Sequence, residues 1–298
     1  MGILLEKLSE DRILVSDGTC GTLLQERGLK PGECPELWNI EHRDIILDIA
    51  KSYLMAGSDM IETNSFGGNR FKLQHYGLEN RVHELNRAAA EISREACGKN
   101  KIVLGSIGPT GKILMTGEVT QEKLSETFSR QFIALAEGGA DAIIIKTMSD
   151  LDEASLAIRA ARENTGLDII CTMTFERTVN GEFRTMMGVS PSEMVKALKE
   201  AGADILGSNC GNGTGGMISV LKEIRKADPD IPVLIQGNAG APEFKGGKTV
   251  YNETPEITAG FIPALVRGGA NIIGGCCGTT PDHIARIKIE LGSLKDKS

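Results

Sequence analysis

The chain has 298 residues, 41% of them hydrophobic, and a formal net charge of −7 at neutral pH. That length builds a substantial core, as one large domain or two small ones, and the composition excludes intrinsic disorder and fibrous repeats. An acidic balance with no compensating basic stripe speaks against nucleic acid as a partner.

The opening stretch Met1-Gly2-Ile3-Leu4-Leu5-Glu6-Lys7-Leu8 alternates charged and apolar residues and lacks the layout of a secretion signal. No run approaches the roughly 18 apolar residues of a membrane span, so a cytoplasmic protein with no membrane partner is expected. Seven cysteines, an odd number in a chain too long to need stapling, fit reduced thiols better than disulfides.

Eight apolar runs follow one another along the chain: Ile13 to Asp17, Met60 to Asn64, Ile102 to Ile107, Ala142 to Thr147, Asp168 to Thr174, Ile205 to Cys210, Val233 to Gly237 and Asn271 to Cys276. Helical periodicity predicts helices after them, at Arg43 to Ala56, Glu79 to Cys97, Gln121 to Glu137, Leu151 to Asn164, Pro191 to Ala201, Gly215 to Ala227, Thr254 to Arg267 and Pro281 to Leu291. Eight strand-and-helix units in order predict an α/β fold of the (β/α)8 TIM-barrel type.

An internal repeat supports the count. Ala56-Gly57-Ser58-Asp59, Gly138-Gly139-Ala140-Asp141, Ala201-Gly202-Ala203-Asp204 and Gly268-Gly269-Ala270-Asn271 precede the even-numbered runs, each reading as a helix-capping glycine, a small residue and an Asp or Asn. A doubly wound open sheet competes, but Asp17-Gly18-Thr19-Cys20-Gly21-Thr22 lacks its dinucleotide fingerprint. No linker divides the chain, so residues 1–298 are expected to form one domain with a frayed tail after Leu294. The longest connections, Gly18 to His42, Gly108 to Thr120, Phe175 to Ser190 and Asn238 to Glu253, follow strands and so belong to the carboxyl face, where barrel active sites are built.

Chemistry concentrates at Cys210, which ends the sixth run, and at Cys276 and Cys277, which end the eighth. Neighbouring side chains on a regular strand face opposite ways, so the vicinal pair can serve one site only where the backbone departs from pleated geometry; Gly274, Gly275 and Gly278 permit that. Strands two places apart lie roughly 9 to 10 Å from each other, a gap that two cysteines can span across a zinc with bonds of about 2.3 Å. Asn238, ending the strand between, can place its side-chain oxygen over the same point. Three soft thiolates with a weak fourth ligand describe an open, catalytic zinc, which binds an incoming thiol and keeps it nucleophilic. A vicinal disulfide or redox pair is the rival reading and leaves Cys210 unexplained. Cys97 and Cys171 read as apolar filler, Cys20 and Cys34 stay open, and the four histidines carry no metal-ligand spacing.

The residues also carry a resemblance. Asp17-Gly18-Thr19-Cys20-Gly21-Thr22, Glu62-Thr63-Asn64-Ser65-Phe66, Gly108-Pro109-Thr110-Gly111, Asn209-Cys210, Pro255 and Gly274-Gly275-Cys276-Cys277-Gly278-Thr279-Thr280-Pro281 together resemble the zinc-dependent homocysteine S-methyltransferases, whose homocysteine-binding barrel occurs in cobalamin-dependent methionine synthase and betaine-homocysteine methyltransferase. The likeness covers nearly the whole chain. It implies zinc on Cys210, Cys276 and Cys277, a thiol acceptor, and a methyl donor presented at the barrel mouth. Beside it, Asn238 is expected at the fourth zinc position at rest, and Asp17, Glu62, Asn64 and Lys146 are expected to line the acceptor pocket.

One position departs from that pattern. The resemblance implies Glu-Thr at the end of the fourth strand, where the carboxylate holds the amino group of homocysteine; this chain has Lys146-Thr147. An ammonium facing the pocket repels an amine and attracts a carboxylate, which points to a different, carboxylated thiol. If Lys146 instead reaches solvent or pairs with Asp17 or Glu62, the amine site is altered but usable. Trp38, Tyr53, Tyr76 and Tyr251 are thin material for an aromatic cage around a quaternary ammonium donor. A methylcorrinoid carried on a partner protein docked at the carboxyl face is therefore the expected donor. The expected function is zinc-dependent S-methylation of a small thiol, the alternatives being transfer to or from another carboxylated thiol and a non-catalytic zinc-binding subunit of a corrinoid methyltransferase complex.

Overall fold

A computed structural model describes residues 2–10, 13–211, 213–246 and 248–295. Eight parallel strands form one sheet: β1 (Leu14–Val15), β2 (Met60–Glu62), β3 (Ile102–Ile107), β4 (Ala142–Met148), β5 (Asp168–Met173), β6 (Ile205–Cys210), β7 (Val233–Gly237) and β8 (Ile272–Gly275). Their order around the sheet is sequential, from β2 through β8 to β1. At the β1–β2 seam the Asp59 amide donates to the Val15 carbonyl at 2.7 Å, and the Glu62 amide donates to Asp17 Oδ2 at 2.9 Å. The result is the α/β barrel that the alternation predicts.

Helices ring the sheet: Arg43–Met55, Val82–Cys97, Gln121–Glu137, Leu151–Asn164, Pro191–Ala201, Thr214–Ala227, Pro255–Arg267 and Pro281–Lys295. Sequence signals set their starts. Thr120, Asp150 and Thr254 each accept a backbone N–H of the first turn, and Ser190 with Glu193 forms a reciprocal capping box ahead of Pro191. The tail predicted after Leu294 lies, beyond Lys295, outside the described residues.

The fourfold repeat has a structural purpose. Asp59, Asp141, Asp204 and Asn271 each accept the N–H of an odd-strand residue, from Val15, Val103, Ile169 and Val233 respectively, at 2.7–3.0 Å. Each thereby ties an even strand to the odd strand before it, on the amino-terminal face. The glycine two residues earlier has φ between +90° and +107°, a left-handed turn that lets the chain leave the helix and enter the strand.

Several short elements lie where periodicity gives none, among them Arg70–Gln74 and the strand pairs Glu176–Arg177 with Phe183–Arg184 and Glu243–Lys245 with Lys248–Val250. A helix at Ile3–Glu10 pushes the fully buried Leu4 against the inward residues of the strands, its first turn held by Asp168, whose carboxylate accepts from Gly2 and Leu5 at 2.9 and 3.0 Å. The connection from Gly18 to His42, read as non-helical, contains Cys20–Glu26, Pro35–Leu37 and Trp38–Glu41 as short helices. These segments are too short to show a full amphipathic period.

Inward side chains alternate along every strand and change character with height. Leu14, Met60, Ile102, Leu104, Ala142, Ile144, Ile170, Ile205, Leu234 and Ile272 fill the lower barrel as one apolar cluster. The next inward positions upward are polar, among them Ser16, Glu62, Ser106, Lys146, Thr172 and Gln236. The lower layers stabilise the barrel by removing apolar surface from water; the upper layer is the floor of a site.

Candidate active site

The polar floor is a connected network. Lys146 Nζ lies 2.7 and 2.8 Å from the two carboxylate oxygens of Glu62 and 3.1 Å from Gln236 Oε1, so each of its three N–H groups has an acceptor. Gln236 Nε2 donates to Glu62 Oε1 at 2.7 Å and to Ser16 Oγ at 2.9 Å, and Ser106 Oγ donates to Glu62 Oε2 at 3.0 Å. Lys146 is only 7% exposed. Burial opposes its charge, but the Glu62 carboxylate overcomes that and holds the ammonium above its usual range. Of the two readings of Lys146, the observed contact is the ion pair with Glu62.

Asp17 is buried beside this pair. Its Oδ2 accepts the Glu62 amide, while Oδ1 has no hydrogen-bond partner. Burial, and next the nearby Glu62 charge, raise its carboxyl well above the usual range. Above the floor opens a cavity of about 360 Å3, lined by Asp17, Glu62, Asn64, Lys146, Cys20 and the three cysteines among others, a volume suited to a small molecule. Asn64 turns its amide outward, donating to the Pro35 carbonyl and to Asn39 Oδ1, and so pins the first loop to the pocket wall.

The three sulfurs converge at the rim. Cys210, Cys276 and Cys277 place their Sγ atoms within 4.8 Å of one another, with Cys210 and Cys276 at 3.1 Å. Tetrahedral coordination with bonds of about 2.3 Å needs sulfurs about 3.8 Å apart, so the donor set fits a zinc ion with small adjustment. Cys276 is held low by hydrogen bonds from the Cys210 and Cys277 thiols, with Lys146 and the Asn209 amide adding to the effect. Cys210 is raised correspondingly, because its proton is shared with Cys276. Cys277 is raised as well, so the cluster concentrates its anionic character on Cys276.

Backbone geometry brings the sulfurs together. Cys210 itself has φ +62°, and so has Thr147 at the end of β4. Left-handed conformations of non-glycine residues cost on the order of 1–3 kcal/mol each and cluster at functional sites. Of the glycines read as permitting the departure, Gly278 has φ +78°. Gly274 and Gly275 serve close approach instead: a methyl group on them would meet Ser16 Oγ at 1.9 Å and Thr279 Oγ1 at 2.2 Å. Asn238 stands behind the cysteines, its Nδ2 donating to the Gly211 carbonyl and its Oδ1 accepting the Cys277 amide at 3.0 Å. It joins the two cysteine-bearing turns and leaves Oδ1 one lone pair.

Residues 14–291 match the family profile described as homocysteine S-methyltransferase. The chain belongs to the homocysteine S-methyltransferase family. It is 30% identical to the methionine synthases of Mycobacterium leprae and Mycobacterium tuberculosis, over 98% of its own length. It spans about a quarter of the length of those relatives. Among solved structures, the metallated form of the homocysteine methyltransferase MmuM from Escherichia coli superposes with a TM-score of 0.78 at 22% identity, covering 95% of this chain and 98% of that one. The oxidised form of the same enzyme gives 0.77 at 23% identity, covering 95% and 97%. At these identities the likeness shows a shared barrel fold.

Four residues of the network were not among the expected site members: Ser106, Thr172, Asn209 and Gln236. A signal was available. Each lies an even number of residues from an inward apolar position on its own strand, and the same count turns Lys146 inward from Ala142 and Ile144. Cys171 and Cys97 are buried in the hydrophobic core, as filler. Cys20 lies against the pocket, and burial, with Asp17 next, pushes its thiol up to about 12, so it stays protonated near neutral pH.

Proposed function

We propose that this chain transfers a methyl group to the sulfur of a small thiol, homocysteine or a close relative, at a zinc site formed by Cys210, Cys276 and Cys277. The observation that carries the reading is the convergence of three sulfurs from two separate turns on the lining of one pocket. A zinc ion held by these three residues would supply the charge that lowers the pKa of an incoming thiol toward neutral pH. Asn238, with one free lone pair on Oδ1, is the candidate for the fourth position at rest.

The chain's own residues orient the acceptor. Lys146 and Glu62 neutralise each other, which leaves Asp17, on the pocket lining, as the carboxyl group there with an oxygen, the buried Oδ1, that has no hydrogen-bond partner. An acceptor ammonium there would favour the ionised form of Asp17 and gain a charge-assisted hydrogen bond. Asn64 and the first loop, through Cys20, Gly21, Pro35 and Glu36, form one side of the pocket.

The proposed donor is a methylcorrinoid held on a partner protein. Trp38 packs against His42 inside the wall, and the Tyr53 hydroxyl is committed to the Thr19 and Thr279 carbonyls, so neither is available for a cation cage. Met115, Val179, Met186 and Phe244 lie 79% or more exposed on three loops that follow β3, β5 and β7, an apolar rim that a docked carrier would cover.

A second reading rests on Lys146. A cation in the floor disfavours an amine, so a thiol carrying a carboxylate and no amine is the alternative acceptor, methylated or demethylated in the same pocket. The deciding experiment supplies methylcobalamin and a panel of thiols to the zinc-loaded protein and measures S-methyl products. Homocysteine preferred over its deaminated analogue supports the first reading, and the reverse order the second. Zinc retained without methylation of any thiol by any donor would leave a non-catalytic subunit.

A further inference from the structure

Asn209 is completely buried on β6, one residue before Cys210, and its side chain touches β4, β5 and both cysteine-bearing turns. Its Oδ1 accepts the Thr147 backbone N–H at 2.9 Å and the Thr172 hydroxyl at 2.7 Å. Two donors fix which end of the amide is oxygen, and so aim Nδ2 the other way. There Nδ2 faces Thr147 Oγ1 at 2.8 Å, Cys210 Sγ at 3.3 Å and Cys276 Sγ at 3.7 Å. Thr147, whose backbone sits at φ +62°, meets the one amide twice, its N–H donating to Oδ1 and its hydroxyl oxygen accepting from Nδ2.

We propose that Asn209 is a positioning residue for the metal centre: one of its two N–H groups goes to Thr147 Oγ1 and the other is shared between the sulfurs of Cys210 and Cys276, with Thr147 and Thr172 holding the amide in the orientation that makes this possible. The proposal rests on the zinc reading of the three cysteines. An amide N–H withdraws electron density from a thiolate without competing for the metal. It therefore offsets part of the charge that three thiolates concentrate in one place, and leaves the metal a stronger acid toward an incoming thiol. It also fixes the spacing of two sulfurs from turns 66 residues apart, which a strand register alone leaves loose.

Asn209→Asp separates this role from a merely structural one. The aspartate keeps an oxygen for the Thr147 amide and the Thr172 hydroxyl, and its second oxygen can accept from the Thr147 hydroxyl, but it has no N–H for sulfur. Wild-type and variant proteins are loaded with cobalt(II), and the thiolate-to-cobalt charge-transfer band is recorded; zinc affinity is measured by competition with a chelator. Asn209→Asp and Asn209→Ala are expected to move the band to longer wavelength and to weaken zinc binding about 10- to 100-fold. Thr172→Val, which keeps the amide but removes one of its anchors, is expected to move both readouts less and in the same direction, and it decides the matter if the Asn209 variants do not fold. A band and affinity equal to wild type in folded Asn209→Asp, or in Thr172→Val where that is the variant obtained, overturn the role of Asn209. No thiolate band in the wild type overturns the metal reading itself.

Discussion

Lys146 Nζ sits between both oxygens of Glu62 at 2.7 and 2.8 Å, above a lower barrel filled by one apolar cluster. A buried pair of this kind is weak evidence for stability as a whole, but breaking it from one side is costly. The pair makes the site floor nearly neutral and leaves Asp17 as the exceptional group. Its carboxyl is raised by burial and by Glu62, with one oxygen unmatched.

Lys146→Met should destabilise the protein by about 3–5 kcal/mol, because Glu62 is then buried without its cation. Adding Glu62→Gln should recover most of that loss. Urea denaturation of the two single variants and the double variant measures it, and strict additivity of the two losses would refute the coupling.

Asp17→Asn should increase stability at neutral pH by about 1 kcal/mol while weakening an amine-bearing acceptor. A carboxyl raised in the folded state stabilises the fold fully below its unfolded pKa, and that contribution is lost as pH rises through the folded pKa. The stability gap in favour of the asparagine variant should accordingly widen from acid toward neutral pH and close at low pH. Melting temperature against pH, together with KM for homocysteine and for its deaminated analogue, checks both halves.

Lys146→Glu should shift acceptor choice toward amines. A carboxylate there would add an anion beside Asp17 and Glu62, lowering KM for homocysteine relative to the deaminated thiol, at a cost in stability from like-charge crowding. An unchanged ratio of the two KM values would show that Lys146 does not govern acceptor choice.

Cys277→Ala should lose zinc and thiol methylation together. Metal content by atomic emission should fall from one zinc per chain toward none, and full activity in a metal-free preparation would end the zinc reading.

Met186→Asp, on an exposed carboxyl-face loop, should slow methylation from a corrinoid protein while leaving transfer from free methylcobalamin at the wild-type rate. Equal slowing with both donors would place Met186 outside any docking surface.

The eight-strand alternation, the fourfold glycine and acid repeat and the three cysteines are local patterns, and these were legible in the amino-acid order alone. β3, β6 and β7 span the residues that periodicity gives, because strands buried on both faces read as continuous apolar runs. What the order of residues did not reveal is which atoms meet. Lys146 gives its charge to Glu62, and Asn209 points its amide at two sulfurs beside a Cys210 held in a left-handed backbone. These contacts depend on side chains 62 to 90 residues apart in the chain being brought into hydrogen-bonding reach by barrel closure. A hydrogen bond is decided over tenths of an ångström, and only the closed sheet sets distances on that scale.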